Sequence, residues 1–87
     1  MTTVLVVHEV DDVDHWLQSP TRDEVFGSRG FTARTFIDPT NAHRVGLIIE
    51  GNAGVDALQQ FLETDEAAEA EKHDGVRPET IVMLVEP

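Results

Sequence analysis

The apolar positions of the first ten residues run almost unbroken, Val4-Leu5-Val6-Val7, then His8 and Glu9, then Val10. A β-branched run of this kind is the pattern of a strand covered on both faces. From Asp11 onward the spacing changes to a helical one. Val13, Trp16 and Leu17 recur on one side, and Asp11, Asp12 or Asp14 can cap the short helix that carries them. Ser19-Pro20 supplies a second start, with serine as cap and proline at the first helical position. The helix is therefore predicted to kink or split there, to resume through Val25 and Phe26, and to end at Gly27 and Gly30.

Phe31 to Asp38 alternates strictly, with Phe31, Ala33, Thr35 and Ile37 on one face and Thr32, Arg34, Phe36 and Asp38 on the other. Asp38-Pro39-Thr40-Asn41 is turn chemistry, and Val45 to Glu50 reads as the returning strand of a hairpin. A loop over Gly51-Asn52-Ala53-Gly54 leads to a helix with Val55, Leu58, Phe61 and Leu62 at helical spacing. Thr64-Asp65-Glu66 can cap it afresh before an Ala- and Glu-rich stretch that stops at Gly75, and Ile81 to Val85 forms the last strand.

Strand, helix, strand, strand, helix, strand is the split βαβ order, which closes as a four-stranded antiparallel sheet with both helices on one face. The first, third and last strands, however, carry apolar residues on both sides: Val4 and Val6 against Leu5 and Val7, Leu47 and Ile49 against Ile48, Ile81 and Met83 against Val82 and Leu84. Two helices cannot cover both faces. A wet second face would be a contiguous apolar patch of the kind soluble monomers avoid, so a homodimer with its two sheets packed face to face is expected.

Composition narrows the functional classes. At 87 residues the chain is one domain, residues 1–87, and a domain this small buries only about 60% of the surface its unfolded chain would expose. There is no cysteine, so disulfides, thiolate metal sites and cysteine nucleophiles are excluded together. Six Lys and Arg against seventeen Asp and Glu give a net charge of −11, with Lys72 the sole lysine. Such a surface repels phosphate backbones and anionic lipid, which argues against nucleic-acid and membrane partners. High acidity with little lysine fits a salty cytosol, and genomic base bias toward arginine accounts for it equally well. No apolar run approaches the roughly 20 residues that span a bilayer, and no basic segment precedes an apolar one at the N-terminus, so a cytoplasmic location is expected.

In its element order, and in the stretch Phe61-Leu62-Glu63-Thr64-Asp65-Glu66-Ala67-Ala68 leading to Asp74-Gly75-Val76, the chain resembles the dimeric α+β barrel superfamily. That superfamily includes antibiotic-biosynthesis monooxygenases, polyketide cyclases and stress-responsive barrel proteins. The resemblance implies an α+β, ferredoxin-like βαββαβ protomer, pairing into a barrel, with a pocket between sheet and helices. It implies a small-molecule ligand and, by analogy with members that oxidise aromatic polyketides with oxygen alone, no cofactor. Other members cyclise, isomerise or degrade haem, and fold does not choose among these activities. A metallochaperone would need a Cys-x-x-Cys pair, an RNA-binding sheet would need exposed aromatics in basic surroundings, and a phosphate cradle could not follow the first strand at Glu9-Val10-Asp11-Asp12.

Alternating up and down elements bring the end of the first strand, the hairpin loop and the loop before the last strand to one end of the protomer. All four histidines, His8, His15, His43 and His73, fall at or near that end. His8 stands where an apolar residue is expected, on the face of Val4, Val6 and Val10. It is read either as a general acid or base in a pocket or as a strand-end histidine bonded to a loop. Trp16 either stacks a ligand or fills the core. Arg34, which shares a strand face with Phe36, could hold a carboxylate or enolate oxygen or pair with surface acids. His73 is a second candidate base or a helix-end histidine. His8, Trp16, Arg34, Phe36 and His73 are thus the expected ligand-binding residues. The run His8, Glu9, Asp11, Asp12, Asp14, His15 is not expected to hold a metal, because His8 and Glu9 point to opposite faces and the aspartates act as caps. Two functions follow: a cofactor-independent monooxygenase or cyclase on an aromatic or polyketide-like compound, or a non-catalytic module whose barrel serves only for dimerisation.

Overall fold

Eight elements form from this pattern, because each of the two helical stretches divides in two. The computed structural model describes residues Met1–Pro87 as β1 (Thr2–Val10), α1 (Val13–Gln18), α2 (Thr21–Gly27), β2 (Phe31–Ile37), β3 (Arg44–Gly51), α3 (Val55–Leu62), α4 (Asp65–His73) and β4 (Val76–Val85). Both divisions have local causes. Ser19 is held extended at ψ 128° by the proline after it, so α1 stops there. Thr64 is likewise extended, and its hydroxyl accepts from Ala67 N–H at 3.3 Å to begin α4 while donating to the carbonyl of Phe61 at the end of α3. Asp12, among the three cap candidates, is the one that caps α1, accepting from His15 N–H at 3.2 Å.

The sheet has the order β2-β3-β1-β4 with every neighbour antiparallel, the ferredoxin-like arrangement expected. Val4, Val6, His8 and Val10 of β1 face inward, opposite Ile49, Leu47 and Val45 of β3. Trp16, Phe26, Leu58, Phe61 and Ala67 from the four helices close over that face, forming one core. Burying each of the larger of these side chains stabilises the fold by about 1.5–3 kcal/mol. The other face carries no helix. There Leu5 pairs with Leu84 and Val7 with Val82, and Leu84, Val82 and Phe36 are each about half exposed.

β4 starts five residues earlier than its apolar run suggests, at Val76 rather than Ile81. A bulge hides the alternation. Between the pairs Val7–Val82 and Glu9–Arg77, β1 advances two residues while β4 advances five. Pro78 lies in this stretch and has no N–H for the ladder. The Thr80 hydroxyl replaces the lost pairing, accepting from Glu9 N–H at 2.8 Å and donating to Arg77 O at 2.6 Å. The sheet is therefore opened beside His8. No helix is long and apolar enough to cross a membrane.

Candidate functional site

A cavity of about 220 Å³ lies between the helices and the inner face of the sheet. Its walls are mostly apolar: Val6, Leu47, Ile49 and Met83 from the strands, Phe26, Phe61 and Leu62 from the helices. Four ionisable side chains reach it, namely His8, Arg22, Glu71 and Asp74. An apolar cavity with a few convergent polar groups is the usual form of a small-molecule site.

His8 belongs to the wall because β1 alternates, and an imidazole on the Val4–Val6–Val10 side must enter the core. It is 5% exposed and meets Trp16 edge to face at 5.6 Å between ring centres. Its Nδ1 lies 3.3 Å from the Glu9 carbonyl. A carbonyl only accepts, so this contact places the proton on Nδ1 and leaves the Nε2 lone pair with no protein partner. Burial lowers the pKa of His8 from its usual 6.5, and the positive charge of Arg22 lowers it further. The ring is thereby held in the neutral form that can accept a proton.

Arg22 sits in the first turn of α2, and its guanidinium lies 4.1 Å from the Trp16 ring centre. Nη2 donates to the Trp16 carbonyl at 3.1 Å, and Nη1 stands 3.7 Å from Asp74 Oδ2. Burial pushes the Arg22 pKa down, against the opposing pull of Asp74 and Asp23. Asp74 is buried just before Gly75, whose φ of +72° is a left-handed conformation that turns the chain from α4 into β4. Glu71, one helical turn earlier, has its pKa raised by burial.

No protein-family model matches the sequence, and no curated protein matches it. Among solved structures, the chain is similar to an antibiotic biosynthesis monooxygenase at 13% identity, over 100% of this chain and 97% of that one, with a TM-score of 0.64. SnoaB, a cofactor-independent oxygenase from Streptomyces nogalater, matches at 12% identity over 98% of this chain and 86% of its own, with a TM-score of 0.58. A dimeric ferredoxin-like protein from an uncultured marine organism matches at 12% identity over 98% and 90%, with a TM-score of 0.51. The fold is ferredoxin-like α+β. At these identities the likeness is one of fold, and it carries no residue correspondence.

Within the ferredoxin-like frame the five expected ligand-binding residues separate. His8 and Trp16 come together in the cavity wall. Arg34 and Phe36 do not join them. Their register opposite Ile48 and Gly46 sets them on the helix-free face, where Arg34 is 3.3 Å from Glu50 and its side chain is 65% exposed. Arg34 and Phe36 therefore do not line this cavity, and Arg34 pairs with a surface acid, the second of its two readings, because β2's alternation sends Phe31 and Ala33 inward and Arg34 and Phe36 outward. His73 lies at the rim rather than in the wall, exposed, with Nδ1 2.9 Å from Asp74 Oδ1.

The histidine-rich end exists as predicted from topology. His43 Nδ1 donates to Val10 O at 3.1 Å, and His15 Nε2 donates to His73 O at 2.9 Å. His15, His73 and Asp74 bring ligand-type atoms within 4.8 Å of one another. Hydrogen bonds already account for that grouping. In the acidic run, Glu9 and Asp11 both accept from Arg77, at 3.0 and 2.9 Å, and Asp12 caps α1. Of the four ionisable residues at the cavity, sequence reasoning missed Arg22, Glu71 and Asp74. For Arg22 a signal was present, because it precedes the inward Val25 and Phe26 by three and four positions and so shares their helix face.

Proposed function

We propose that the protein is a cofactor-independent enzyme of the monooxygenase or cyclase type, acting as a homodimer on a compact aromatic or polyketide-like compound bound under its helices. The observation that carries this reading is His8, a buried imidazole in the wall of a cavity with room for a ligand, whose Nε2 has no protein partner. An apolar cavity of about 150 Å³ admits benzene. One of about 220 Å³ suits a body of one or two rings.

The chemistry begins with proton removal by His8 Nε2 from the carbon next to a carbonyl, giving an enolate. In the oxygenase form, dioxygen adds at that carbon and the resulting hydroperoxide loses water to leave a second carbonyl. One dioxygen is consumed and one water released, so no external reductant enters the balance. In the cyclase form the same enolate attacks a carbonyl within the substrate. The similarity in fold to SnoaB and to an antibiotic biosynthesis monooxygenase supports this class of chemistry. The apolar outer face of the sheet supports the dimer, as does the fold shared with a dimeric ferredoxin-like protein. The rival reading, a barrel that only dimerises, calls for a pocket filled by its own side chains, and the open cavity weighs against it.

The test uses 2-tetralone, a two-ring ketone with an acidic C1 position, dissolved in deuterated buffer. Exchange of the C1 protons, followed by NMR, is expected to accelerate by about 100-fold or more over buffer with the wild-type protein, the range of a positioned general base. His8→Gln is expected to abolish the gain. Exchange no faster than buffer, or equal rates in the two proteins, defeats the assignment of His8 as base.

A further inference from the structure

Hydrogen bonds hold His15, His73 and Asp74 together at the cavity rim, and the same geometry suits a cation. His15 belongs to the last turn of α1, His73 to the last turn of α4, and Asp74 is the residue that caps α4. One nitrogen of each imidazole and one carboxylate oxygen lie within 4.8 Å of one another. Two contacts in the group are 2.9 Å long, His15 Nε2 to the His73 carbonyl and His73 Nδ1 to Asp74 Oδ1. Atoms that share one metal ion through bonds of about 2.0–2.2 Å stand about 3 Å apart at a right angle and about 3.4 Å apart at the tetrahedral angle. His73 Nδ1 and Asp74 Oδ1 are thus already at coordination distance. The wider gaps need to close by roughly 1.5 Å at most, a movement within reach of exposed imidazoles that turn about two side-chain bonds.

The ring protons can make way. In both imidazoles the second nitrogen, Nδ1 of His15 and Nε2 of His73, makes no hydrogen bond to the protein. Shifting the proton of a neutral ring to that nitrogen breaks no other contact, and it turns the nitrogen facing the group into a lone-pair donor. Water receives the outward N–H, since His15 is exposed and the His73 side chain is 59% exposed. Asp74 is opposite in character. Its carboxylate is buried, with Oδ1 toward His73 and Oδ2 3.7 Å from Arg22 Nη1, so the arginine steadies it from the other side. The positive charge of Arg22 works against a cation, and the net charge of −11 works for one.

The donor set selects the ion. Two imidazole nitrogens and one carboxylate oxygen suit zinc and its neighbours cobalt, nickel and copper, whereas magnesium and calcium favour shells of oxygen. Without cysteine in the chain, the fourth position is left to water. We propose that His15, His73 and Asp74 form a binding site for one divalent ion of the zinc type, which ties the end of α1 to the corner between α4 and β4. Linear spacing conceals this set, because 58 residues separate His15 from His73. The site does not rest on the reaction assigned to His8, and no step of that reaction passes through it.

The test uses Zn2+ alone, added to the metal-stripped full chain in a non-chelating buffer and measured by equilibrium dialysis with metal analysis. One zinc per chain is expected, with a dissociation constant of about 20 µM or tighter. His15→Ala and His73→Ala, both at exposed positions, are each expected to weaken binding by at least about tenfold. His43→Ala removes a histidine of the same end that lies outside the group, and is expected to bind within about twofold of the wild type. A large excess of Mg2+ is expected to leave the zinc in place. Zinc is also expected to raise the urea midpoint of the wild type and not that of His15→Ala, because an ion bound only by the folded chain stabilises it. Weaker binding by the wild type overturns the site. So does binding that persists undiminished in either histidine variant or is displaced by Mg2+, which is the behaviour of scattered surface acids. If His73→Ala folds poorly because it also releases Asp74, His15→Ala decides the matter alone, since it removes a ligand that stands on a different helix.

Discussion

The guanidinium of Arg22 lies 4.1 Å from the centre of the Trp16 ring, and the same side chain donates to the Trp16 carbonyl, although six residues separate the two. In a continuous helix, residues six apart stand about 9 Å apart along the axis and about 240° round it, so they could not meet in this way. The break at Ser19-Pro20 makes the contact possible. It folds α2 back so that a residue of its first turn lies over Trp16 of α1.

Arg22 is expected to be costly or neutral for stability. Replacing it by methionine removes the two unpaired buried donors and keeps most of the volume. Asp74 retains His73 as a partner. Substitution of a poorly satisfied buried ion by an apolar side chain is often neutral or stabilising. In urea denaturation followed by Trp16 fluorescence, Arg22→Met is expected to change the unfolding free energy by less than about 1 kcal/mol, or to raise it. A loss of about 3 kcal/mol or more is the signature of breaking a well-made buried pair, and would show that the Arg22–Asp74 contact is structural.

The pH dependence of stability follows from His8. Its pKa in the folded protein lies below the usual 6.5, so in the window beneath 6.5 the unfolded chain binds more protons than the folded one. Stability is then full above that value and is lost as pH falls through the folded pKa. Glu71 has the opposite sign, its folded pKa being raised above 4.5, so its contribution falls as pH rises through that range. The two are separated by comparing wild type with His8→Gln at each pH, which leaves the Glu71 contribution in both. The urea midpoint of the wild type is expected to drop more than that of His8→Gln between about pH 7 and pH 5.5. Parallel curves would mean that His8 is not the group responsible.

Much of this arrangement was legible in the sequence, and what was not has physical reasons. Alternation and helical spacing give the elements and the inward placement of His8 and Trp16, the cap residues Ser19-Pro20 and Thr64 give both helix breaks, and element order with the crossover rule gives the sheet. β4 extends beyond the Ile81 to Val85 run because Pro78 and the bulge interrupt its alternation, which a pattern of period two cannot register. Of the two readings of Arg34, holder of a ligand oxygen or partner of a surface acid, the alternation of β2 alone does not choose, and the structure shows the second, with Glu50 at 3.3 Å. What was missing was which face the helices cover, a tertiary fact. Arg22 shares the helix face of Val25 and Phe26, but charged residues in a first turn usually face solvent, so spacing alone does not single it out. Arg34→Ala is accordingly expected to leave binding of 2-tetralone unchanged within about twofold by equilibrium dialysis, a difference of under ~0.5 kcal/mol. A larger loss would place Arg34 in the site after all.

Gly51 provides a stability test away from the cavity. It pairs with Phe31 across β2 and β3, and a Cβ there would collide with the Phe31 ring and lie 2.7 Å from the Gly30 carbonyl. The ring could rotate, but the Gly30 backbone is fixed by a left-handed φ of +82° at the entry to β2. Gly51→Ala is therefore expected to cost about 1–3 kcal/mol, the usual penalty for overpacking, in urea denaturation. A change within ~0.5 kcal/mol would show that β2 can shift to make room.

The outer face of the sheet decides the assembly. Leu5 stands opposite both Ile48 and Leu84, and Val7 opposite Val82, so the apolar side chains form a continuous band across β3, β1 and β4 with Phe36 at its edge on β2. Exposed bands of this kind are rare on monomers, and the net charge of −11 gives two copies no other reason to associate. Native mass spectrometry of the wild-type protein at micromolar concentration is expected to show a dimer. Leu84→Lys, which puts an ammonium in the middle of the band, is expected to give a monomer. Leu84 points away from the helices, so the core should be undisturbed and the variant should still bind 2-tetralone. A monomeric wild type would remove the dimer from the proposal, and a Leu84→Lys dimer as tight as the wild type would mean that copies associate through a different surface.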